Sequence, residues 1–328
     1  MVSFVRQSCL AVIALSIAGL TGCSAPSANQ VSPSASSVAT PTIASDAPKV
    51  VATNSVLCDL AKQIAVDTIN LTCLIKPGTD AHVYQATPDD RKAIETANLV
   101  LYGGYNFEPS LTKLIQAGSN ATKVAVHEVA VPTPQMFEED GKTEPDPHVW
   151  HNAQNGVQIT QVIQTNLAKV SPTNADLYAK NAGAIAAQLT QIDSWIKSQI
   201  ATIPPATRKL VTTHDALGYY AEAYNVPVEG ALEGISTEEK PTAARVKELV
   251  TTIVAAKVPT IFAEVSINPQ LIETVAKEAN VKVSDQELFT DGLGEPGSSG
   301  ETYQKMLTAN TKAIVEGLGG KFTAFQAK

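Results

Sequence analysis

Between Ser171 and Pro204 the chain carries one continuous apolar stripe. Leu177, Ile185, Leu189, Ile192, Ile196 and Ile200 follow one another at spacings of eight, four, three, four and four. Those intervals place the side chains on one face of an α-helix. Ser171-Pro172 begins the segment and Pro204-Pro205 ends it. The result is a helix of about thirty residues, roughly 45 Å long at 1.5 Å per residue. A helix of that length exceeds what one small domain needs, so residues 171–204 read as a rigid connector running between two lobes.

Both flanks support that reading. From Lys49 onward, strands and helices alternate: Val50-Val51 starts a strand, Val56–Val66 a helix, Ile69–Ile75 a strand. Thr87-Pro88-Asp89-Asp90 opens the next helix, with Thr as N-cap and Pro in the first turn. Leu99–Tyr102 and Lys123–Val126 are further strands, and Ala130–Pro147 is a long loop. Beyond the connector come strands at Lys209–Thr213, Val226–Ala231, Thr260–Ala263 and Val281–Ser284. Helices at Ala216–Tyr224, Thr242–Ala256, Pro269–Asn280 and Thr302–Leu318 separate and close them. Alternation of this kind predicts parallel sheets covered by helices. The expected fold is α/β, with two Rossmann-like lobes (residues 49–170 and 205–328), each a mostly parallel sheet flanked by helices, joined by one long rigid helix.

Residues 1–48 lie outside that pattern. Arg6 precedes a short apolar run, Leu10–Leu20, too short to span a bilayer and placed as a secretory signal would be. It ends in Leu20-Thr21-Gly22-Cys23, which resembles the bacterial lipobox. Residues 1–22 are therefore expected to be a lipoprotein signal peptide, with Cys23 acylated. Residues 23–48, rich in Ser, Ala, Pro and Thr, read as a flexible tether. Cys58 and Cys73 remain, fifteen positions apart. Outside the cytoplasm a bridge between them is permitted, and two buried free thiols are the alternative. The net charge of -8 argues against a nucleic-acid partner, which would require clustered Lys and Arg.

There are five histidines. His82 ends the turn Pro77-Gly78-Thr79-Asp80-Ala81 after a strand, and His214 directly follows another strand. In open α/β sheets ligands sit beyond the carboxyl ends of strands, so these two, one per lobe, stand where a cleft ligand would be. His148, in Asp146-Pro147-His148, enters from the long loop just before a helix, and Asp291 follows the last strand. Three imidazoles and a carboxylate suit Zn²⁺. No compact motif joins the four, so spacing does not identify the site. His151 sits one helical turn past His148 and could support the site or lie at the surface. Asp215 and Glu264 could orient ligand imidazoles, or serve as surface or capping groups. His127 is expected to be structural. Gly103-Gly104 lacks the Lys-Ser/Thr of a phosphate loop.

Several longer strings add to this: PGTDAHVYQATPDD, DPHVWHNAQN, VTTHDALGYYAEAYNVP, GISTEEKPTAARV and ELFTDGLGE. In this order the chain resembles the solute-binding lipoproteins of zinc and manganese ABC importers, the cluster A-I metal-binding family, over Lys49 to Gly319. The resemblance implies metal ligation by His82, His148, His214 and Asp291. It implies capture of a divalent transition metal between lobes and delivery to the permease of a metal ABC importer. The protein would be a monomer, held at the membrane by its lipid on the periplasmic or outer face. Manganese-selective relatives commonly carry glutamate at the third ligand position, where this chain has His214; imidazole there favours Zn²⁺, with Mn²⁺ as the alternative. The stretch Phe137–Glu144 is short and lacks the histidine-rich insertion of many zinc members. A zinc hydrolase is the enzymatic rival, disfavoured by a fourth protein ligand and the absence of an HExxH motif. A metal-stabilised adhesin is the other. Because neutral imidazole binds metal, affinity should fall below about pH 6.5.

Overall fold

Two short runs of consecutive apolar residues seed the first sheet. Val50, Val51 and Ala52 in β1 (Lys49–Ala52) and Leu99, Val100 and Leu101 in β3 (Leu99–Tyr102) are essentially inaccessible. Burial on both faces is the habit of parallel strands. With β2 (Asn70–Cys73) and β4 (Thr122–Ala125) they form a four-stranded sheet of order β2-β1-β3-β4, parallel throughout. Helices α1 (Ser55–Ala65), α2 (Pro88–Thr96), α3 (Pro109–Ala117), α4 (Val126–Ala130) and α5 (Ala153–Val170) complete this half. Helix α2 begins as its sequence predicts: the Thr87 hydroxyl accepts the Asp90 N–H, and the Asp90 carboxylate accepts the Thr87 N–H. This computed structural model describes residues 46–328 apart from 119, 140 and 141, so Cys23, the signal segment and nearly all of the tether fall outside the described residues.

The stretch read as one loop, Ala130–Pro147, contains an antiparallel hairpin of β5 (Met136–Glu139) and β6 (Lys142–Pro145). Its residues are mostly polar, so apolar periodicity did not reveal it. The connector is α6 (Ala175–Ile200), 26 residues long. Tyr178, Ala182, Ile185, Leu189, Ile192, Ile196 and Ile200 form its buried stripe. Leu177, assigned to the stripe from sequence, is 36% exposed; Tyr178 takes the place, its hydroxyl bonded to Thr68. Helix α6 packs on α1, α5 and the closing helix α10 (Tyr303–Gly317).

The second half repeats the plan with strands of less even length. β7 (Leu210–His214) pairs in parallel with β8 (Val228–Glu233), and β9 (Thr260–Ile261) with β10 (Lys282–Val283). The Phe262 N–H bonds the Val211 carbonyl, joining the end of β9 to β7. The order is therefore β8-β7-β9-β10, the same progression as in the first sheet. Helices α7 (Gly218–Tyr224), α8 (Ala243–Ala256) and α9 (Gln270–Ala279) lie between the strands in sequence. Val211, Leu232, Leu249, Ile253, Ile261 and Ile272 belong to a small separate core. Tyr303, Leu307 and Ile314 of α10 join the larger core around α6 instead. The two sheets are thus two lobes braced by one long helix, their strand carboxyl ends facing a shared site.

Candidate metal centre

Four side chains from distant parts of the chain meet at one point. One donor atom from each of His82, His148, His214 and Asp291 lies within 4.8 Å of all the others. His82 is delivered by the turn after β2, where Gly78 takes a left-handed φ of 71° and its N–H bonds the Leu293 carbonyl. His148 leaves the β5–β6 hairpin through Asp146-Pro147. His214 is the last residue of β7, and Asp291 follows the strand-like bridge between Glu264 and Leu288. None of the four side chains is more than 3% exposed.

The distances suit a single small cation. Asp291 Oδ1 stands 3.6 Å from His82 Nε2, 3.5 Å from His148 Nε2 and 3.1 Å from His214 Nε2, and the His82 and His148 Nε2 atoms are 3.2 Å apart. Tetrahedral donors about 2.1 Å from a zinc ion would be about 3.4 Å from one another. His214 Nε2 and Asp291 Oδ1 are buried without a hydrogen-bond partner, a costly condition that a cation at this point would relieve.

Two of the rings are held from behind. Asp146 Oδ1 accepts both the backbone N–H of His148, at 2.8 Å, and its Nδ1–H, at 2.9 Å. Glu264 accepts the His214 Nδ1–H with one oxygen and the N–H groups of Thr213 and His214 with the other. Donation from Nδ1 leaves the Nε2 lone pair aimed into the site. Asp80 Oδ1 accepts the His82 N–H at 2.9 Å, and Ser266 donates to Asp291 Oδ2 at 2.8 Å. The Phe107 ring packs edge-on against His82 and His148.

Charge follows this wiring. Burial lowers the His82 pKa, and neighbouring imidazoles add to that against the pull of Asp291. Burial opposes charge on His148 and His214 too, but carboxylates prevail: Asp146 and Asp291 raise the first, Glu264 and Asp291 raise the second well above its ordinary value. Asp291 resists burial because the three imidazoles hold its pKa well below the usual carboxylate range.

The remaining sequence candidates separate. Glu264 accepts the Nδ1–H of the His214 ring. Asp215 bonds no ligand ring among the described residues; burial and the charge of Asp146 push its pKa up to about 6. Asp146 fills the role considered for it, and its place two residues before His148 was the available sign. His151 is buried, yet its Nε2 pairs with the Thr290 carbonyl at 2.9 Å, beside Asp291, rather than entering the site. His127 is buried against Phe107 and Trp150, its pKa lowered to about 3 chiefly by burial. Cys58 and Cys73 are joined as a disulfide between α1 and the end of β2. Asp80, Ser266 and Phe107 were not anticipated: Ser266 and Phe107 reach their partners through contacts that sequence spacing does not encode, whereas Asp80, two residues before His82, carried the same local sign as Asp146.

Residues 50–317 match the family model described as zinc-uptake complex component A, periplasmic. The chain is 34% identical over 316 residues to the manganese ABC transporter substrate-binding lipoprotein scaA of Streptococcus gordonii, covering 94% of this chain and 97% of that protein. It is 33% identical over 276 residues to the manganese ABC transporter substrate-binding lipoprotein PsaA of Streptococcus pneumoniae, covering 82% and 89%. Among solved structures, the periplasmic zinc binding protein TroA of Treponema pallidum superposes with a TM-score of 0.78 at 32% identity, over 83% of this chain and 99% of that one.

Proposed function

The chain belongs to the family of periplasmic zinc-uptake component A proteins, and from that membership we propose that it is the extracytoplasmic substrate-binding protein of a metal ABC importer, taking a divalent transition metal between its lobes. The observation that carries the proposal is the convergence of three imidazole Nε2 atoms and one carboxylate oxygen, with the His148 and His214 rings each fixed by a carboxylate. His82 and His148 serve from the first lobe, His214 and Asp291 from the second. The ion is cargo, and it crosslinks the lobes while α6 limits their movement. Zn²⁺ is the favoured cargo: the donor set is mainly imidazole and its spacing is that of four-coordination. Mn²⁺ is the second reading, favoured by the manganese relatives scaA and PsaA.

The protein acts as a carrier rather than an enzyme. Four protein donors would fill the positions around a zinc ion, whereas catalytic zinc keeps a position for water. Acylation of Cys23 would hold it at the membrane, and residues 23–48 would give it reach to the permease, raising the local concentration of the loaded monomer.

Metal-stripped protein titrated with Zn²⁺ and with Mn²⁺ against a chromophoric chelator tests the assignment. One tight equivalent, lost in both His148→Ala and Asp291→Ala, is the expected result. Stoichiometric binding that survives both substitutions would overturn the site, and tighter binding of Mn²⁺ than of Zn²⁺ would favour the second reading. Stripped protein should keep its circular dichroism and a cooperative melt; unfolding on metal removal would mark a structural ion instead.

A further inference from the structure

Asp80 touches both lobes. Its Oδ1 accepts the backbone N–H of His82, and its Oδ2 accepts the hydroxyl of Thr237 at 2.6 Å. Thr237 is 5% exposed and lies in the segment between β8 and α8. That segment leaves β8 at Glu233, the residue paired in register with His214. A closed path therefore runs from His82 through Asp80 and Thr237 to β8 and His214, with the proposed ion completing it. When the lobes part, the Asp80–Thr237 bond must break, and the carboxylate it releases is the one that seats His82.

We infer that Thr237 is a positioning residue that governs metal release: its hydroxyl, acting through Asp80, keeps His82 on the ion until the lobes separate. This rests on the cargo role proposed above. Association begins from parted lobes, in which the bond is absent, so the latch acts on dissociation and leaves association alone. His148 has a separate brace in Asp146 and His214 one in Glu264, which makes His82 the ligand whose support depends on this crossing.

Stopped-flow measurement of Zn²⁺ dissociation into excess chelator, with association measured separately, tests the inference. Thr237→Val should dissociate about tenfold faster, the size of a hydrogen bond to a carboxylate discounted for the only partly buried position of Asp80. Its association rate should stay within about twofold. Thr237→Ser, which keeps the hydroxyl, should restore the slow rate. In an Asp80→Ala background Thr237→Val should add nothing, because the two then share one pathway. An unchanged dissociation rate in Thr237→Val, or an equal acceleration in both backgrounds, would overturn the latch. Should Thr237→Val fail to fold, Thr237→Ala carries the same expectation. If the unaltered protein takes up no Zn²⁺, the cargo reading itself fails and the latch with it; a slow, saturable release from the unaltered protein isolates the latch as the question.

Discussion

Glu264 and His214 form a pair sealed from solvent, in which one carboxylate fixes both the ring and the backbone of the same residue. One oxygen takes the Nδ1–H of His214 and the Thr290 hydroxyl; the other takes the His214 N–H at 2.9 Å and the Thr213 N–H at 2.8 Å. The ring consequently has one tautomer and one direction. Removing such a support typically costs 10–100-fold in metal affinity. Glu264→Ala should weaken Zn²⁺ binding by about 100-fold and Glu264→Gln by about tenfold, since the amide keeps one acceptor. Competition titration reads the difference, and equal affinity in all three proteins would show that the ring needs no such support.

The same pair controls what can replace His214. Exchanging imidazole for a carboxylate should favour the harder Mn²⁺. Yet His214→Glu would set a second carboxylate against Glu264, buried and without the Nδ1–H that now lies between them. Two carboxylates in one dry site oppose each other's ionisation. The single variant should therefore lose affinity for both metals. The double variant His214→Glu/Glu264→Gln should recover binding and prefer Mn²⁺ more than the unaltered protein does. Metal content after equilibration with equal Zn²⁺ and Mn²⁺ measures the shift, and a single variant that binds Mn²⁺ tightly would refute the repulsion argument.

The parts of this molecule that could be read in advance are those governed by local periodicity. The buried face of α6 was visible as an apolar stripe, misplaced only at Leu177, where a one-residue shift brings Tyr178 inward instead. Strands β1 and β3 of the first sheet were visible because burial on both faces forces runs such as Leu99-Val100-Leu101. Hairpin β5–β6 was missed because the sequence of its strands is mostly polar and carries no apolar alternation. His82, His214 and Asp291 were placed after strands and His148 in a loop before a helix, but only the resemblance to metal-importer lipoproteins joined the four. Of the groups that support them, Glu264 was visible as a carboxylate that could orient an imidazole; Asp80, two residues before His82, was a local sign passed over, and Ser266 reaches Asp291 only through tertiary packing. Which lobe-to-lobe contacts exist, such as Thr237 on Asp80 or His151 on the Thr290 carbonyl, is decided by tertiary packing and leaves no local trace.

The Cys58–Cys73 bridge closes a loop of fifteen residues containing most of α1 and all but the end of β2. In the chain-entropy model such a loop is worth about 3 kcal/mol. The Cys58→Ser/Cys73→Ser variant should melt roughly 6–12 °C lower, taking a few degrees per kcal/mol for a domain of this size. Zn²⁺ affinity should change less than about twofold, because Asp80, Asp146 and Glu264 brace the ligands independently of the bridge. Thermal melts of stripped and loaded protein would check both halves, and a large loss of affinity would mean that the bridge also sets the turn carrying His82.

Binding should be coupled to proton release more strongly than free imidazoles would suggest. In the metal-free protein the carboxylates around His148 and His214 raise both pKa values above the ordinary 6.5, despite burial, whereas His82 is lowered and stays neutral. For a raised group, the stabilisation is complete below the unfolded pKa and disappears as pH climbs through the folded one. Asp291 behaves oppositely: its stabilising charge is present above the ordinary 3.8 and is lost only as pH falls through its depressed value. Near neutral pH the ion must therefore expel protons from His148 and His214 while finding Asp291 already ionised. Affinity should begin to fall above the pH of about 6.5 expected from unperturbed imidazole, with about one to two protons released per Zn²⁺ at pH 7. Calorimetric titration in buffers of different ionisation enthalpy counts those protons. A binding heat independent of buffer at pH 7 would show that the rings are already neutral before the metal arrives, and that the paired carboxylates do not hold them charged.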